Sequence, residues 1–283
     1  MIKLFAMDMD GTVLNSRGEI DQRNIEAIRK LNESGVKTVL CSGRVATSLE
    51  HFNKVLGLDN PVIGNNGAIV KINEDKILSM HPLEDDNLKD LIDFSQEHKC
   101  VYHFYDEDTY YTNRFNPKGL QYLLIDNDYG YNTHCNLNVS KDPYADLKLK
   151  GHFGNKILIG NLGEHPYGRD KIVSMFEERF ADYLYITSSS PTSIEIMEKG
   201  VTKWNGVLEL IDFLGINKDE IASIGDSYND LPMLANAKLS FAMGNADETV
   251  KSHAKDVVAI NDEFGVAEAC EKILAYNKAN PSV

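Results

Sequence analysis

The sequence predicts an α/β protein: a doubly wound, Rossmann-like parallel sheet that carries an inserted α+β domain. Strand-like and helix-like segments alternate through the first eighty residues, the alternation stops between about Pro82 and Pro191, and it then resumes to the C-terminus. Regular alternation of strands and helices indicates a parallel sheet covered on both faces. We therefore expect a discontinuous core of residues 1–81 and 191–283, with residues 82–190 as the insertion.

The first half of the predicted core reads as strand, helix, strand, helix and strand. The segments, in order, are KLFAMD, residues 21–34, VKTVLCSG, residues 46–56 and PVIGNNGAIV. Apolar residues at helical spacing, Asp21 in the N-cap position and Gly35 after the last turn support the first helix. We expect the strands of this half to lie parallel in one sheet.

The insertion has a different texture, and the alternating pattern resumes after it. Charged and aromatic residues crowd together in segments such as LEDDNLKDL and VYHFYDEDTYYTN, which indicates a separate α+β unit. The segments that follow are a helix over 203–214, the strand EIASIGD, the helix DLPMLANA, the strand LSFAMGN, the short helix DETVKSHA, the strand DVVAI and the helix GVAEACEKILAYN. The two halves of the core are therefore expected to meet in space.

Composition limits the classes of function. The 283 residues are 42% hydrophobic and 25% charged, with a formal net charge of -14 and no long run of Lys and Arg. Nucleic-acid binding requires a basic face, so we expect no nucleic-acid partner. The chain has no signal-peptide pattern and no run of roughly 18 apolar residues that could span a membrane. We expect a cytoplasmic protein with no membrane partner, in which the four well-separated cysteines are reduced thiols.

Two aspartates separated by one residue follow the first predicted strand, in FAMDMDGTVLN. Residues i and i+2 of an extended strand point to the same face, so Asp8 and Asp10 bring two carboxylates close together. Two close anions without a partner repel each other, and one of them must take up a proton. The pair therefore predicts another group that makes it tolerable.

Polar residues also end three further predicted strands, where ligands bind in open parallel sheets. These residues are Ser42, Gly43 and Arg44 in VLCSGR, Asn65, Asn66 and Gly67 in IGNNGA, and Asp226, Asn229 and Asp230 in IASIGDSYND, with Lys203 in VTKWNG. A cluster of carboxylates without thiolate or imidazole selects a hard cation such as Mg2+. A lysine and a serine beside it indicate a phosphate oxygen. The implied reaction is phosphoryl transfer through an aspartyl-phosphate.

Each motif alone also has a simpler structural interpretation. D-x-D-G-T can be a capped turn, S-G-R a helix cap beside an exposed arginine, and N-N-G-A an ordinary turn. G-D-S-Y-N-D can be a loop that ends in a helix cap, and a lone lysine is usually a surface residue. Their joint occurrence in this order, each at a strand end or a helix start, favours the catalytic interpretation.

The order DMDGT, CSGR, Lys203 and GDSYND resembles the haloacid dehalogenase (HAD) superfamily of phosphotransferases. IGNNGA, EIMEKGVTKW, DLPML and MGNADETVK are similar to the Cof-type hydrolases within it. The resemblance covers about residues 1–81 and 191–283. It implies an enzyme, a phosphoric monoester hydrolase, in which Asp8 is the nucleophile and Asp10 the general acid and base.

The resemblance also implies roles for the other residues. Mg2+ is expected to be held by the Asp8 carboxylate, the Asp10 main-chain carbonyl and Asp226, with Asn229 and Asp230 supporting them. The remaining expectations are that Ser42 and Lys203 bind the transferring phosphoryl group, that Gly43 allows close approach, and that Arg44, Asn66 and Asn245 contact substrate. The inserted domain, residues 82–190, is expected to be a cap that closes over the site and selects the substrate.

Two positions depart from the family pattern, and the cap residues are too numerous to rank. Ser42 stands where Thr is common, which keeps the hydroxyl. Trp204 stands where a small Gly is usual, and its indole is expected to pack under the cap or to narrow the pocket. Candidate substrate contacts on the cap are Tyr102, His103, Tyr105, Tyr110 and Arg114.

The leading hypothesis is a Mg2+-dependent phosphatase of small phosphorylated metabolites, with sugar phosphates first and flavin mononucleotide or pyridoxal phosphate next. A sugar phosphomutase is the alternative, which a requirement for a bisphosphate activator without net phosphate release would favour. A signalling protein that accepts phosphate on Asp fits less well, because it needs neither the insertion nor the second aspartate. The chain is expected to be a monomer or a small homo-oligomer.

Overall fold

The structure is a computed structural model, and it describes residues 1–114 and 135–281. The strands are β1 (Leu4–Met7), β2 (Lys37–Cys41), β3 (Val62–Gly64), β4 (Ile69–Asn73), β5 (Lys76–Met80), β6 (Val101–Tyr105), β7 (Thr109–Thr112), β8 (Asn136–Val139), β9 (Lys156–Gly160), β10 (Leu184–Thr187), β11 (Ile194–Glu198), β12 (Ile221–Gly225), β13 (Leu239–Ala242) and β14 (Asp256–Val257). The α-helices are α1 (Gln22–Glu33), α2 (Ala46–Leu56), α3 (Asp85–Glu97), α4 (Pro143–Leu149), α5 (Arg169–Phe180), α6 (Lys203–Leu214), α7 (Leu231–Asn236), α8 (Glu248–His253) and α9 (Gly265–Ala279).

The larger sheet has eight strands in the order β14-β13-β12-β1-β2-β3-β4-β5. The first six are parallel, and both halves of the chain contribute to them, with β1 from the first half beside β12 from the second. Side chains on β1 alternate between two apolar clusters: Phe5 and Met7 pack in one, and Leu4 and Ala6 in the other. The predicted fold class, a doubly wound α/β core, is confirmed.

The edge of this sheet differs from the prediction. The segment PVIGNNGAIV was predicted as one strand, but it turns back on itself and forms β3 and β4, which pair antiparallel. Asn65 and Asn66 have φ of 48° and 58°, and Gly67 has φ of 101°, in a short 3-10 turn between the two strands. Left-handed backbone in three successive residues cannot continue a strand, because strands require negative φ.

The second sheet has six strands in the order β10-β11-β9-β6-β7-β8, and all its neighbours pair antiparallel except β7 and β8. The strand Ile194–Glu198 pairs with β9 and β10 in this sheet, so the boundary predicted at residue 190 is wrong. Polar and apolar residues alternate in SIEIME, a pattern that suits a strand of either domain. Only its pairing with β9 and β10 assigns this strand to the second sheet. We refer to residues 82–198 as the cap, and to the rest of the described chain as the core.

Apolar side chains from helices α3 and α5 cover one face of the cap sheet. Leu88 and Leu91 of α3 and Ile172 and Phe176 of α5 pack against strand residues such as Phe104. The opposite face of the sheet is turned toward the core. Within the two described ranges, no helix is long and apolar enough to cross a membrane.

Candidate active site

The carboxyl ends of neighbouring core strands bring the predicted polar residues together. Asp8 follows β1, the Ser42–Arg44 turn follows β2, and Asp226 follows β12, and these three strands are adjacent in the sheet. Parallel strands end at the same edge, so the turns converge there. Residues more than two hundred positions apart therefore share one site.

Lys203 lies at the centre of this site. Its Nζ donates to Asp8 Oδ1 at 2.5 Å and to Asp230 Oδ1 at 2.6 Å, and the side chain is 0% exposed. Thr202 caps the N-terminus of helix α6, because its hydroxyl accepts a hydrogen bond from the Asn205 main-chain N-H. Lys203 therefore lies in the first turn of this helix. Burial lowers the pKa of Lys203, but the two carboxylates raise it more, so the lysine stays charged.

Asp230 connects this lysine to the Asp226 loop. Its second oxygen, Oδ2, accepts hydrogen bonds from the main-chain N-H groups of Asp226 and Ser227, both at 2.9 Å. Asp226 Oδ1 in turn accepts a hydrogen bond from the Thr12 hydroxyl at 3.0 Å. Both oxygens of Asp230 are therefore occupied by hydrogen bonds within the protein.

Gly11 allows the first and last motifs to approach each other. It has φ of 78°, and a Cβ there would lie 2.5 Å from Asp226 Oδ2. Such a contact is too short for any side chain, and the left-handed φ also favours glycine. The D-x-D-G-T turn therefore packs directly on the Asp226 carboxylate.

Asp8, Asp226 and Asp230 have carboxylate oxygens that all lie within 4.8 Å of one another. Burial raises the pKa of Asp8 well above its usual value, Lys203 opposes the shift, and the neighbouring aspartates add to it. Burial and Asp230 raise the pKa of Asp226 to about 6. One lysine therefore does not neutralise the cluster, and an oxygen-only donor set of this charge fits a hard divalent cation. Asp8 and Asp226 are the residues that fit as ligands.

Asp10 forms an ion pair with Arg44 and lies outside the cluster of Asp8, Asp226 and Asp230. Nε and Nη2 of Arg44 donate to the two Asp10 oxygens at 2.8 and 2.6 Å, and the Asp10 side chain is 60% exposed. Partial desolvation by the surrounding protein raises the pKa of Asp10, the Arg44 guanidinium lowers it, and the net shift is downward. The repulsion expected between Asp8 and Asp10 is thus relieved by a separate cation for each: Lys203 for Asp8, and Arg44 for Asp10.

A cavity of about 520 Å³ lies between core and cap above these residues. On the core side it is lined by Asp8, Asp10, Ser42, Gly43, Arg44, Ser227 and Asn229. On the cap side, β6 contributes Val101, His103 and Tyr105, and β9 contributes Lys156 and Leu158. Alternate residues of a strand point to the same face. This explains why the odd-numbered residues of β6 and the even-numbered residues of β9 line the cavity.

The same alternation separates the predicted cap contacts. His103 and Tyr105 line the cavity, whereas Tyr102 packs in the apolar cluster on the opposite face of the cap sheet. Tyr110 is buried and stacks on His103, with ring centroids 4.3 Å apart. Arg114 is exposed and does not line the cavity.

Asn66, Asn245 and Trp204 do not line the cavity either. The Asn66 amide donates to Glu195 of the cap, and its Oδ1 accepts from Asn229 at 3.1 Å. The Asn245 side chain joins the Gly11 carbonyl to the Asn261 N-H. Trp204 packs in a core cluster and is 8% exposed, so the expectation that it packs under the cap or narrows the pocket is wrong.

Two buried charged residues at this site were not predicted, Lys156 on β9 and Glu195 on β11. Both are buried, and both line the cavity. A signal for them was present, because each is a charge within a short apolar strand, in KILIG and IEIME. Buried charges of this kind are paired or functional.

The chain is similar to known proteins over nearly its whole length. A family model described as haloacid dehalogenase-like hydrolase matches residues 5–270. The putative phosphatase YxeH of Bacillus subtilis (strain 168) is 30% identical over 97% of this chain and 99% of the relative. The 5-amino-6-(5-phospho-D-ribitylamino)uracil phosphatase YcsE of the same organism is 28% identical, over 95% and 94%. The crystallographic structure of a putative HAD/COF-like hydrolase from Plasmodium vivax is 25% identical, with a TM-score of 0.82 over 97% of this chain and 96% of that chain.

The family model and the relatives extend across nearly the whole chain, through both halves of the core and the cap between them. The chain therefore belongs to the haloacid dehalogenase-like hydrolases, as a Cof-type member, and it is a phosphatase.

Proposed function

We propose that this protein hydrolyses small phosphorylated metabolites in a Mg2+-dependent reaction that passes through an aspartyl-phosphate on Asp8. The observation that carries the proposal is the environment of Asp8. It is held by the buried Lys203 ammonium, lies among further carboxylates and lines the cavity between core and cap. A carboxylate in this position is accessible to a phosphate ester and adjacent to positive charge.

In the first half-reaction an Asp8 oxygen attacks phosphorus, the new O-P bond forms, and the bond from phosphorus to the ester oxygen breaks. Asp10, in the same cavity, gives its proton to the departing oxygen. Ser42 and Lys203 hold the non-bridging phosphoryl oxygens. Mg2+, which Asp8, Asp226 and the Asp10 carbonyl would hold, supplies further positive charge against the phosphoryl group.

In the second half-reaction Asp10 takes a proton from water, the water oxygen attacks phosphorus, and the bond to Asp8 breaks. The ion pair with Arg44 suits Asp10 to this step, because it keeps the carboxylate ionised. For the first step Asp10 must carry a proton. An incoming phosphate dianion favours this, since it competes for Arg44 and disfavours a second negative charge nearby.

Sugar phosphates are the substrate class that we propose first, and flavin mononucleotide and pyridoxal phosphate come next. The cavity of about 520 Å³ lies in the range typical of small-molecule sites. It is polar near Asp10 and Lys156 and apolar near Val101 and Leu158. The relative YcsE is named for a substrate with phosphate on a ribityl chain, which supports a phosphorylated polyol or sugar here.

The test is a panel of phosphorylated metabolites assayed for phosphate release with Mg2+ and with EDTA, and compared by kcat/KM. We expect phosphate release to depend on Mg2+. Rapid quenching in acid should trap a phosphoenzyme that hydroxylamine cleaves, as it cleaves other acyl phosphates. Absence of release from every ester would overturn the proposal. Isomerisation that needs a bisphosphate activator would indicate the phosphomutase instead, and a long-lived phosphoprotein without turnover would indicate the signalling protein.

A further inference from the structure

An ion pair is buried inside the cap, on the side that faces the core. Lys156 Nζ lies 3.2 Å from Glu195 Oε2, and each side chain is 3% exposed. The two residues lie on neighbouring strands, β9 and β11. Removing two charges from water is costly, and their mutual attraction repays the cost only with further hydrogen bonds.

Those further hydrogen bonds come largely from the core. Lys156 Nζ donates to the Gly43 carbonyl at 2.6 Å, in the Ser42–Arg44 turn. Glu195 accepts from the Asn66 amide, and Asn66 Oδ1 accepts from Asn229 at 3.1 Å. Within the cap, Glu195 also accepts from the Ser189 hydroxyl. One ion pair therefore joins the cap to the turns that follow β2, β3 and β12.

Gly43 lies directly against this ion pair. A Cβ at Gly43 would lie 3.1 Å from Lys156 Nζ, 3.1 Å from Asn66 Oδ1 and 3.2 Å from Glu195 Oε2. The turn is thus packed on the pair with no room for even a methyl group at normal distance. Movement of the pair must move the turn or break the hydrogen bond to its carbonyl.

The neighbouring main-chain groups of the turn are held by residues of the core. The Ser42 N-H donates to Ile63, and the Ser42 carbonyl accepts from the Asn66 N-H, both at 2.9 Å. The Arg44 carbonyl accepts from the Asn65 N-H at 2.8 Å. The Gly43 carbonyl, between them, accepts from Lys156 of the cap. The hydroxyl of Ser42 and the guanidinium of Arg44 flank it.

We propose that Lys156 and Glu195 are positioning residues: their ion pair connects the closed cap to the Ser42–Arg44 turn, so that Ser42 and Arg44 reach their working positions only when the cap is closed. Both residues act through the turn. The kinetic test of this inference rests on the proposed function, whereas the test by hydrogen exchange does not.

The first test compares Glu195→Gln and Lys156→Met with Glu107→Gln. Glu107 is a control for cap–core pairing at another place, because it pairs with Lys71 at 3.5 Å and is 41% exposed, but does not touch the Ser42–Arg44 turn. We expect kcat/KM to fall about 10- to 100-fold in Glu195→Gln and Lys156→Met, as displacement of a positioned group by about 1 Å does. The fall should be similar for a metabolite and for p-nitrophenyl phosphate. The control should stay within about twofold.

A buried charge without its partner can also prevent folding. The double variant Lys156→Met with Glu195→Met replaces both charges with unbranched apolar side chains, and thermal unfolding shows whether it folds. We expect it to fold and to keep the kinetic defect, because it still lacks the hydrogen bonds to Gly43 and Asn66. Recovery of wild-type kcat/KM in the double variant would overturn the proposal.

The second test is amide hydrogen exchange of the peptide that contains residues 42–44. We expect exchange in Glu195→Gln to be about tenfold faster than in the wild type, and unchanged in Glu107→Gln, although residue 195 lies in the other domain. The proposal would be overturned by unchanged exchange of this peptide in Glu195→Gln, or by an equal increase in Glu107→Gln. It would also be overturned if the kinetic loss in the first test were confined to KM for the larger substrate. If the wild type released no phosphate, the proposed function would fail, and exchange would still decide this inference.

Discussion

The core and the cap place their polar residues in different ways. In the core, parallel strands end at one edge of the sheet, and the polar residues lie in the turns just beyond them, as Asp8 does after β1. In the cap, polar residues such as His103 and Lys156 lie within strands, on the face that meets the core. Strand order therefore assembles the core half of the site, and side-chain alternation assembles the cap half.

The two regions also differ in how their buried charges are satisfied. Lys203 finds both of its carboxylates, Asp8 and Asp230, within the core. Lys156 and Glu195 are paired within the cap but also depend on hydrogen bonds with Gly43 and Asn66 of the core. The reactive cluster is thus a property of the core, and the cap depends on the core for its own polar groups. The following predictions test that difference.

The largest effect is expected for Asp8→Asn, which removes the nucleophile from the core. Phosphate release should fall on the order of 10⁴-fold or more, because an amide cannot form the acyl phosphate. Thermal stability of the metal-free protein should be kept or raised, since burial already disfavours the charge of Asp8. The exposed Asp212→Asn is the control. Full activity in Asp8→Asn would refute the assignment.

Lys203→Met should destabilise the core strongly. It leaves Asp8 and Asp230 buried without their cation, and we expect the free energy of unfolding to fall by about 3–5 kcal/mol. Urea denaturation of Lys3→Met provides the comparison. Lys3 pairs with Glu220 but is 39% exposed, so its removal should cost only about 0–1 kcal/mol. Equal losses in the two variants would mean that burial of the Lys203 network contributes nothing.

The metal-free core should become less stable as pH rises. The pKa of Asp226 is raised to about 6 in the folded protein, from 3.8, so its contribution is favourable at low pH and is lost as pH rises through 6. At pH 7 the loss is about 3 kcal/mol at most. Adding Mg2+ at pH 7.5 should raise Tm more in the wild type than in Asp226→Asn. A Tm that responds equally to Mg2+ in both would argue against a cation at this residue.

The cap should show the opposite dependence, with a smaller effect. Burial and Lys156 lower the pKa of His103 to about 3, from 6.5, so its contribution is present above pH 6.5 and is lost as pH falls. At pH 5 the loss is about 2 kcal/mol. His103→Phe should remove this part of the acid sensitivity in urea denaturation at pH 7.5 and 5.0. The exposed His253→Gln should not, and identical pH dependence in wild type and His103→Phe would contradict the prediction.

Residue order was sufficient for the fold class and for the cluster around Lys203. Strand period, helix caps and the order of motifs are local signals, and a parallel sheet converts them into proximity at one edge. Helices 46–56 and 203–214 occur as predicted, and α1 begins after Asp21, although the Asp21 carboxylate accepts from Asn15 instead of capping the helix. N-N-G-A was given as a possible turn, but the antiparallel return through Asn65–Gly67 was not predicted, because the apolar run on either side resembles one strand.

The packing of one sheet against the other was needed for the rest. It decides that Asn66 reaches Glu195 instead of the cavity, whereas strand pairing assigns β11 to the cap and packing within the core places Trp204 there. It also decides that Lys156 and Glu195, 39 positions apart, share the Gly43 turn. These contacts depend on the distance and angle between two independently formed sheets, and no spacing along a single chain encodes that distance.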